Sequence, residues 1–120
     1  MATAWKLPIS MAMAASISSP LPAARAALDA AGLRFENLDA VTTHNPFAVN
    51  DVYFSRAAGI PHEKINAFGS SLVYGHPQAP TGARALVELI ETLRLRGGGV
   101  GLFTGCAAGD TAAALVVRVD

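Results

Sequence analysis

Cysteine occurs once in this chain of 120 residues, at Cys106, which excludes an intrachain disulfide. A lone free thiol suits a reducing compartment, and a cytoplasmic protein is the expectation that follows. Histidine is scarce as well: His44, His62 and His76, taken with Cys106, show no paired ligand spacing, so a zinc-type cluster is excluded and no metal is expected. Neither sign of charge dominates, with nine Lys and Arg against nine Asp and Glu, so no net field draws the chain to nucleic acid or an anionic membrane. Long apolar runs are also missing. Ser10, Ser16, Ser18 and Ser19 interrupt the weakly apolar start, and nothing approaches the roughly 18 residues of a membrane span.

What remains is 52% hydrophobic, sufficient for a real core. No repeat or linker divides it, so residues 1–120 are expected to form a single domain. The start reads as a strand near Ala2–Lys6 followed by a loop through Ser19. Ser19-Pro20 then opens a helix with Leu21, Ala24, Leu28 and Ala31 on one face, ended by Gly32. Leu38–Thr43 reads as a strand. Asn45 as N-cap and Pro46 as first helical residue predict a helix through Phe47, Val52, Tyr53 and Arg56 to Gly59. Ile65–Phe68 is a further strand candidate. A long helix is expected from about Pro80 to Arg96, with Leu86, Leu89, Ile90 and Leu93 as its buried stripe. Val100–Thr104 and Ala113–Val119 then form a hairpin turned at Gly109-Asp110.

The order β-α-β-α-β-α-β-β predicts an α/β fold with a mixed five-stranded sheet covered by helices. Sites in open α/β sheets collect where strands end and helices begin, and His44, His76 and Cys106 fall at such places. Singly, each has a plainer reading: His44 caps a helix, His76 closes a tight loop, Cys106 fills a strand end. His62 reads as a solvated loop residue, Tyr74 as packing, and Arg84, Arg94 and Arg96 as the polar face of the long helix.

In chain order these residues form a pattern. His44-Asn45-Pro46-Phe47 comes first; Asn66, Gly69, Gly75, His76, Pro77, Thr81 and Gly82 follow; Cys106-Ala107-Ala108-Gly109 closes. This set resembles the C-terminal half of the thiolases, whose blocks read N-E-A-F, then N-x-x-G-G-x-x-x-x-G-H-P-x-G-x-[ST]-G, then C-x-G-x-G. The resemblance implies a thiolase-like acyl-CoA acyltransferase, with coenzyme A thioesters as substrate and no covalently bound cofactor. It gives His76 the role of activating a nucleophilic cysteine and helping to bind the thioester oxygen, and Cys106 that of moving the α-proton. His44 and the backbone amide of Ala108 are implied as further donors, with Asn45, Phe47 and Gly75 at substrate-binding positions. A neutral His44 is expected to donate toward the thioester oxygen beside His76.

Departures from the pattern accompany the matches. Histidine at position 44 replaces the asparagine of commoner thiolases, as in those related to sterol carrier protein, and Asn45 replaces an acidic residue. Ser70, Ala79 and Asp110 stand at family glycines. The family's nucleophilic cysteine and most coenzyme A contacts belong to an N-terminal half that this chain lacks. The partners expected are therefore that half, supplied as another subunit or segment, in a homo- or hetero-oligomer. Two alternatives are a non-catalytic thiolase-fold partner subunit and a ketosynthase-type condensing enzyme. Cys106 argues against the latter, which carries histidine or asparagine there.

Overall fold

Alternate residues of the C-terminal strand point opposite ways, and both directions are buried. In β4 (Thr111–Val119), Ala112, Ala114 and Val116 join one apolar cluster while Leu115, Val117 and Val119 join another. The cause is the twofold period of a pleated strand. The computed structural model describes residues 9–16, 20–107 and 111–120. Its elements run β1 (Ile9–Ser16), α1 (Pro20–Ala31), β2 (Ala40–Thr43), α2 (Ala48–Ala58), a short α3 (Ser71–Tyr74), α4 (Thr81–Leu95), β3 (Gly99–Ala107) and β4.

The sheet has the order β1-β4-β3-β2. β4 runs antiparallel to both β1 and β3, while β2 and β3 are parallel, as a helical crossover between them requires. Helix α1 covers one face through Ala23, Ala24, Ala27 and Leu28, with α2 contributing Phe54. Helix α4 covers the other through Leu89 and Leu93. The mixed α/β architecture expected from the sequence is therefore present, and the expected faces of α1 and α4 are the ones buried.

Three details differ. The described sheet has four strands rather than five, because Ile65 makes only a single parallel bridge to Val41. Asn66 at once turns left-handed at φ 50° and the strand cannot propagate. At the start, β1 occupies Ile9–Ser16, where a loop was expected; the predicted strand at 2–6 lies outside the described residues. Helix α2 begins at Ala48 with Phe47 at its N-cap, two residues later than Asn45 and Pro46 would place it, because Asn45 itself is left-handed at φ 45°.

Close approach of α4 to β3 sets the position of everything at the helix start. A Cβ on Gly101 would lie 2.6 Å from Leu89 Cδ1 and 3.0 Å from Leu93 Cδ1. Both leucines are fully buried and have no free space to retreat into. Gly101→Ala is therefore expected to lower stability by about 1–3 kcal/mol through overpacking. In a Leu89→Ala background, itself costing about 2–5 kcal/mol, the added methyl enters the vacated space and the Gly101→Ala cost shrinks. A denaturant double-mutant cycle measures this coupling, and strict additivity would refute it.

Candidate active site

The site begins at the end of β2. His44 follows the last strand residue; its backbone N–H donates to the Thr104 carbonyl at 3.1 Å, and its carbonyl accepts from Ser71 Oγ at 2.8 Å. The residues on either side of His44 hold one carboxylate. Thr43 Oγ1 donates to Asp51 Oδ1 at 2.7 Å, and the Asn45 side-chain amide donates to Asp51 Oδ2. Asn66 Nδ2 reaches the same Oδ2 at 3.0 Å, while Asn66 Oδ1 accepts the Thr43 N–H at 2.9 Å. Asn45 thus braces the turn through Asp51 and, at 3.3 Å, Ser70 Oγ, rather than capping α2. Burial raises the Asp51 pKa above the ordinary carboxylate value, against the opposing hydrogen bonds from Thr43 and Asn66 and the charge of His62.

His76 reaches the same place from the loop before α4. The Gln78 backbone N–H donates to His76 Nδ1 at 3.1 Å. A backbone N–H can only donate, so Nδ1 presents its lone pair and the ring proton sits on Nε2. The Thr81 hydroxyl, 2.8 Å from the same Nδ1, is then a second donor. His76 Nε2 lies 2.8 Å from His44 Nε2, which must accept, leaving the His44 Nδ1–H directed at Cys106 Sγ, 3.2 Å away. One backbone amide therefore sets a directional chain from His76 through His44 to sulfur. Burial first, and the proximity of His76 second, hold the His44 pKa below its ordinary value of 6.5.

Cys106 is exposed and lies inside β3, paired with Ala112, so the strand runs past the Thr104 end expected from the sequence. The preceding residue makes the approach possible: a Cβ on Gly105 would sit 2.6 Å from His44 Cβ. Gly75, at φ 84°, ends α3 and gives its carbonyl to Arg84 Nη1 at 3.0 Å. Arg84 also donates to Ser71 Oγ at 3.0 Å and lies over the Tyr74 ring, so it ties the His76 loop to α4 rather than merely coating the helix. Phe47 is 67% exposed and belongs to no part of the core. Ala108 lies outside the described residues.

The structure thus brings His44, His76 and Cys106 together, with Asn45 and Gly75 as braces of their loops. Both ring nitrogens of His44 are engaged, so the donor expected to face a thioester oxygen faces sulfur instead. Sequence reasoning did not single out Asp51, Gln78 or Gly105. Gly105 has a visible signal in its place beside the cysteine; Asp51 and Gln78 have none, since each acts through a contact only the folded loops create.

Asp51 yields a pH-dependent expectation. Its folded-state pKa lies above the unfolded value near 3.8, so the native state binds the proton more tightly and stability declines as pH rises from there to the raised value. Asp51→Asn abolishes this decline while keeping an acceptor for Asn45 and Asn66. Asp51→Ala leaves those donors unmatched and costs about 1–3 kcal/mol near neutral pH. Denaturant titrations at several pH values check both outcomes.

Comparison with known proteins bears on the family and the fold. The family profile described as "Thiolase, C-terminal domain" matches residues 6–119. A 3-ketoacyl-CoA thiolase of Erwinia tasmaniensis is 39% identical over 92% of this chain and 28% of its own length. One from Colwellia psychrerythraea is 36% identical over the same shares. The crystal structure of human mitochondrial 3-ketoacyl-CoA thiolase in complex with CoA superposes with a TM-score of 0.86 at 27% identity, over 91% of this chain and 29% of that one. The chain spans 28% of the length of these bacterial relatives. With the profile covering nearly all of it and the fold shared with a solved thiolase, the chain belongs to the thiolase family and corresponds to its C-terminal domain.

Proposed function

We propose that residues 1–120 act as one domain, the C-terminal catalytic half of a thiolase-type acyltransferase that cleaves or forms 3-ketoacyl-CoA thioesters. The nucleophilic cysteine comes from an N-terminal half. The observation that carries this reading is the directional chain from His76 through His44 to Cys106. In thiolysis, the cysteine of the other half attacks the 3-keto carbon, the bond between the α- and β-carbons breaks, and the departing carbanion takes a proton. The acyl group left as a thioester on that cysteine then passes to the thiol of a second coenzyme A, whose proton restores the acid. Cys106 supplies the carbanion's proton, and the His44 N–H aimed at its sulfur steadies the charge that appears there. His44 serves this step as a neutral ring, the form that its lowered pKa favours. The family resemblance gives His76 the activation of the nucleophile and a share of thioester-oxygen binding. Since its Nδ1 and Nε2 are both engaged here, it takes up either role only by exchanging its contact with His44 or with Gln78 and Thr81. The Ala108 amide adds a backbone donor that is indifferent to its side chain.

The partner requirement has its own support. Phe68, Leu72, Val73 and Val87 are each more than half exposed, apolar side chains that burial against the N-terminal half in an oligomeric enzyme would take out of water. No helix among the described residues is long and apolar enough to cross a membrane. A reducing compartment such as the cytoplasm suits a reaction that depends on the free Cys106 thiol.

In the enzyme assembled with its N-terminal half, His76→Ala and Cys106→Ala are each expected to lower thiolysis at least roughly a hundredfold without loss of assembly. Near-normal turnover in both would instead favour a non-catalytic subunit. His44→Asn keeps an amide donor and acceptor between His76 and Cys106 and loses less turnover than His44→Phe, which offers neither. Equal turnover in the two folded variants would show that His44 only shapes its turn.

A further inference from the structure

His44, Pro46, Gly105 and Cys106 line two different cavities. One, of about 650 Å³, also takes in His76, Gln78, Thr81 and Phe103 on the α4 side. The other, of about 430 Å³, extends under the start of α1 and along α2, where Leu21, Val49, Tyr53 and Phe54 form its apolar wall. A substrate with its reacting carbon at the Cys106 sulfur has an arm on each side of that carbon, and here a cavity opens on each side of that sulfur. We propose that the α1/α2 cavity receives the acyl chain of the substrate, so that Leu21, Val49, Tyr53 and Phe54 select longer, apolar acyl groups over acetoacetyl. This deepens the thiolase reading of the same site and rests on it.

The chemistry of the walls supports an apolar guest. Thr43, Asn45 and Asp51 also border the cavity, yet their hydrogen-bonding groups engage one another and Asn66. The Asn45 carbonyl oxygen has no partner, but it is closed off and offers no accessible acceptor. Asn50 is the other polar residue on that wall and is exposed to solvent. The hydrogen-bonded groups of Thr43, Asn45 and Asp51 thus make no demand for a polar ligand, while the opposite wall gains from each methylene placed against it. The volume falls in the range of small-ligand sites, which run from about 300 to 1,000 Å³. Val49 and Tyr53 are 66% and 62% exposed, so their substitution alters the cavity without opening the core.

Two thioethers of coenzyme A, decyl-CoA and ethyl-CoA, which thiolysis cannot consume, test the assignment by calorimetry on the assembled protein. Decyl-CoA is expected to bind at least about tenfold more tightly than ethyl-CoA. Val49→Trp, which fills the cavity, erases that preference by bringing decyl-CoA binding down to the level of ethyl-CoA. Tyr53→Ala, which strips part of the wall, weakens decyl-CoA binding several-fold and keeps the test decisive if the first variant misfolds. In parallel, the kcat/KM ratio for a ten-carbon over a four-carbon 3-ketoacyl-CoA falls at least about tenfold in Val49→Trp. Equal binding of the two thioethers, or a preference that survives both substitutions, overturns the proposal even if thiolysis is robust. A decyl preference lost in the variants of a protein without thiolysis sustains the cavity and overturns the catalytic reading. No binding of either thioether overturns both.

Discussion

Two imidazole nitrogens 2.8 Å apart can share only one proton, and the site depends on that restriction. If both nitrogens carried hydrogen they would repel; if neither did, the contact would have no bond in it. The Gln78 backbone amide resolves the choice by occupying the lone pair on the far side of His76. From there the proton positions follow one after another until the last N–H meets sulfur. A peptide group, which cannot titrate, thus sets the tautomers of two side chains that can. The same close pairing joins burial in keeping His44 neutral.

Holding that contact requires three separated parts of the chain to stay in place. The β2 end is held by the Thr43, Asn45 and Asn66 bonds to Asp51, a carboxylate that α2 brings back beneath the turn. The β3 end is admitted because Gly105 has no side chain to strike His44. The His76 loop is fastened by Arg84 through the Gly75 carbonyl and Ser71, and Ser71 in turn holds the His44 carbonyl. Farther back, Gly101 lets α4 settle onto the sheet and so fixes where Thr81 begins. Asn45 fits this scheme as a neutral residue in a place where the family pattern has an acid. The carboxylate it touches arrives from Asp51 in the helix instead.

The α/β alternation, the faces of α1 and α4, and the C-terminal hairpin were legible because each depends on local periodicity and punctuation. Leu89 and Leu93 had to face inward from any helix with their spacing, and both are fully buried. The fifth strand failed at Asn66, whose left-handed conformation is stabilised by distant partners, Thr43 and Asp51. The start of α2 was misplaced for the same kind of reason: Asn45 has good N-cap chemistry, but its amide is drawn to Asp51 and Ser70. Tertiary hydrogen bonds overrode local preference at both asparagines.

By itself the sequence determined the class of fold, the family pattern, and three residues, two histidines and a cysteine, whose side chains are of types suited to acid–base chemistry, since order and spacing along the chain contain that information. Only the tertiary structure decided which of them touch, which nitrogen bears each proton, that a glycine stands between His44 and the thiol strand, and that a cavity opens on either side of Cys106. Those features belong to distances between segments far apart in sequence. A hydrogen bond is made or lost within a few tenths of an ångström, which no linear pattern specifies.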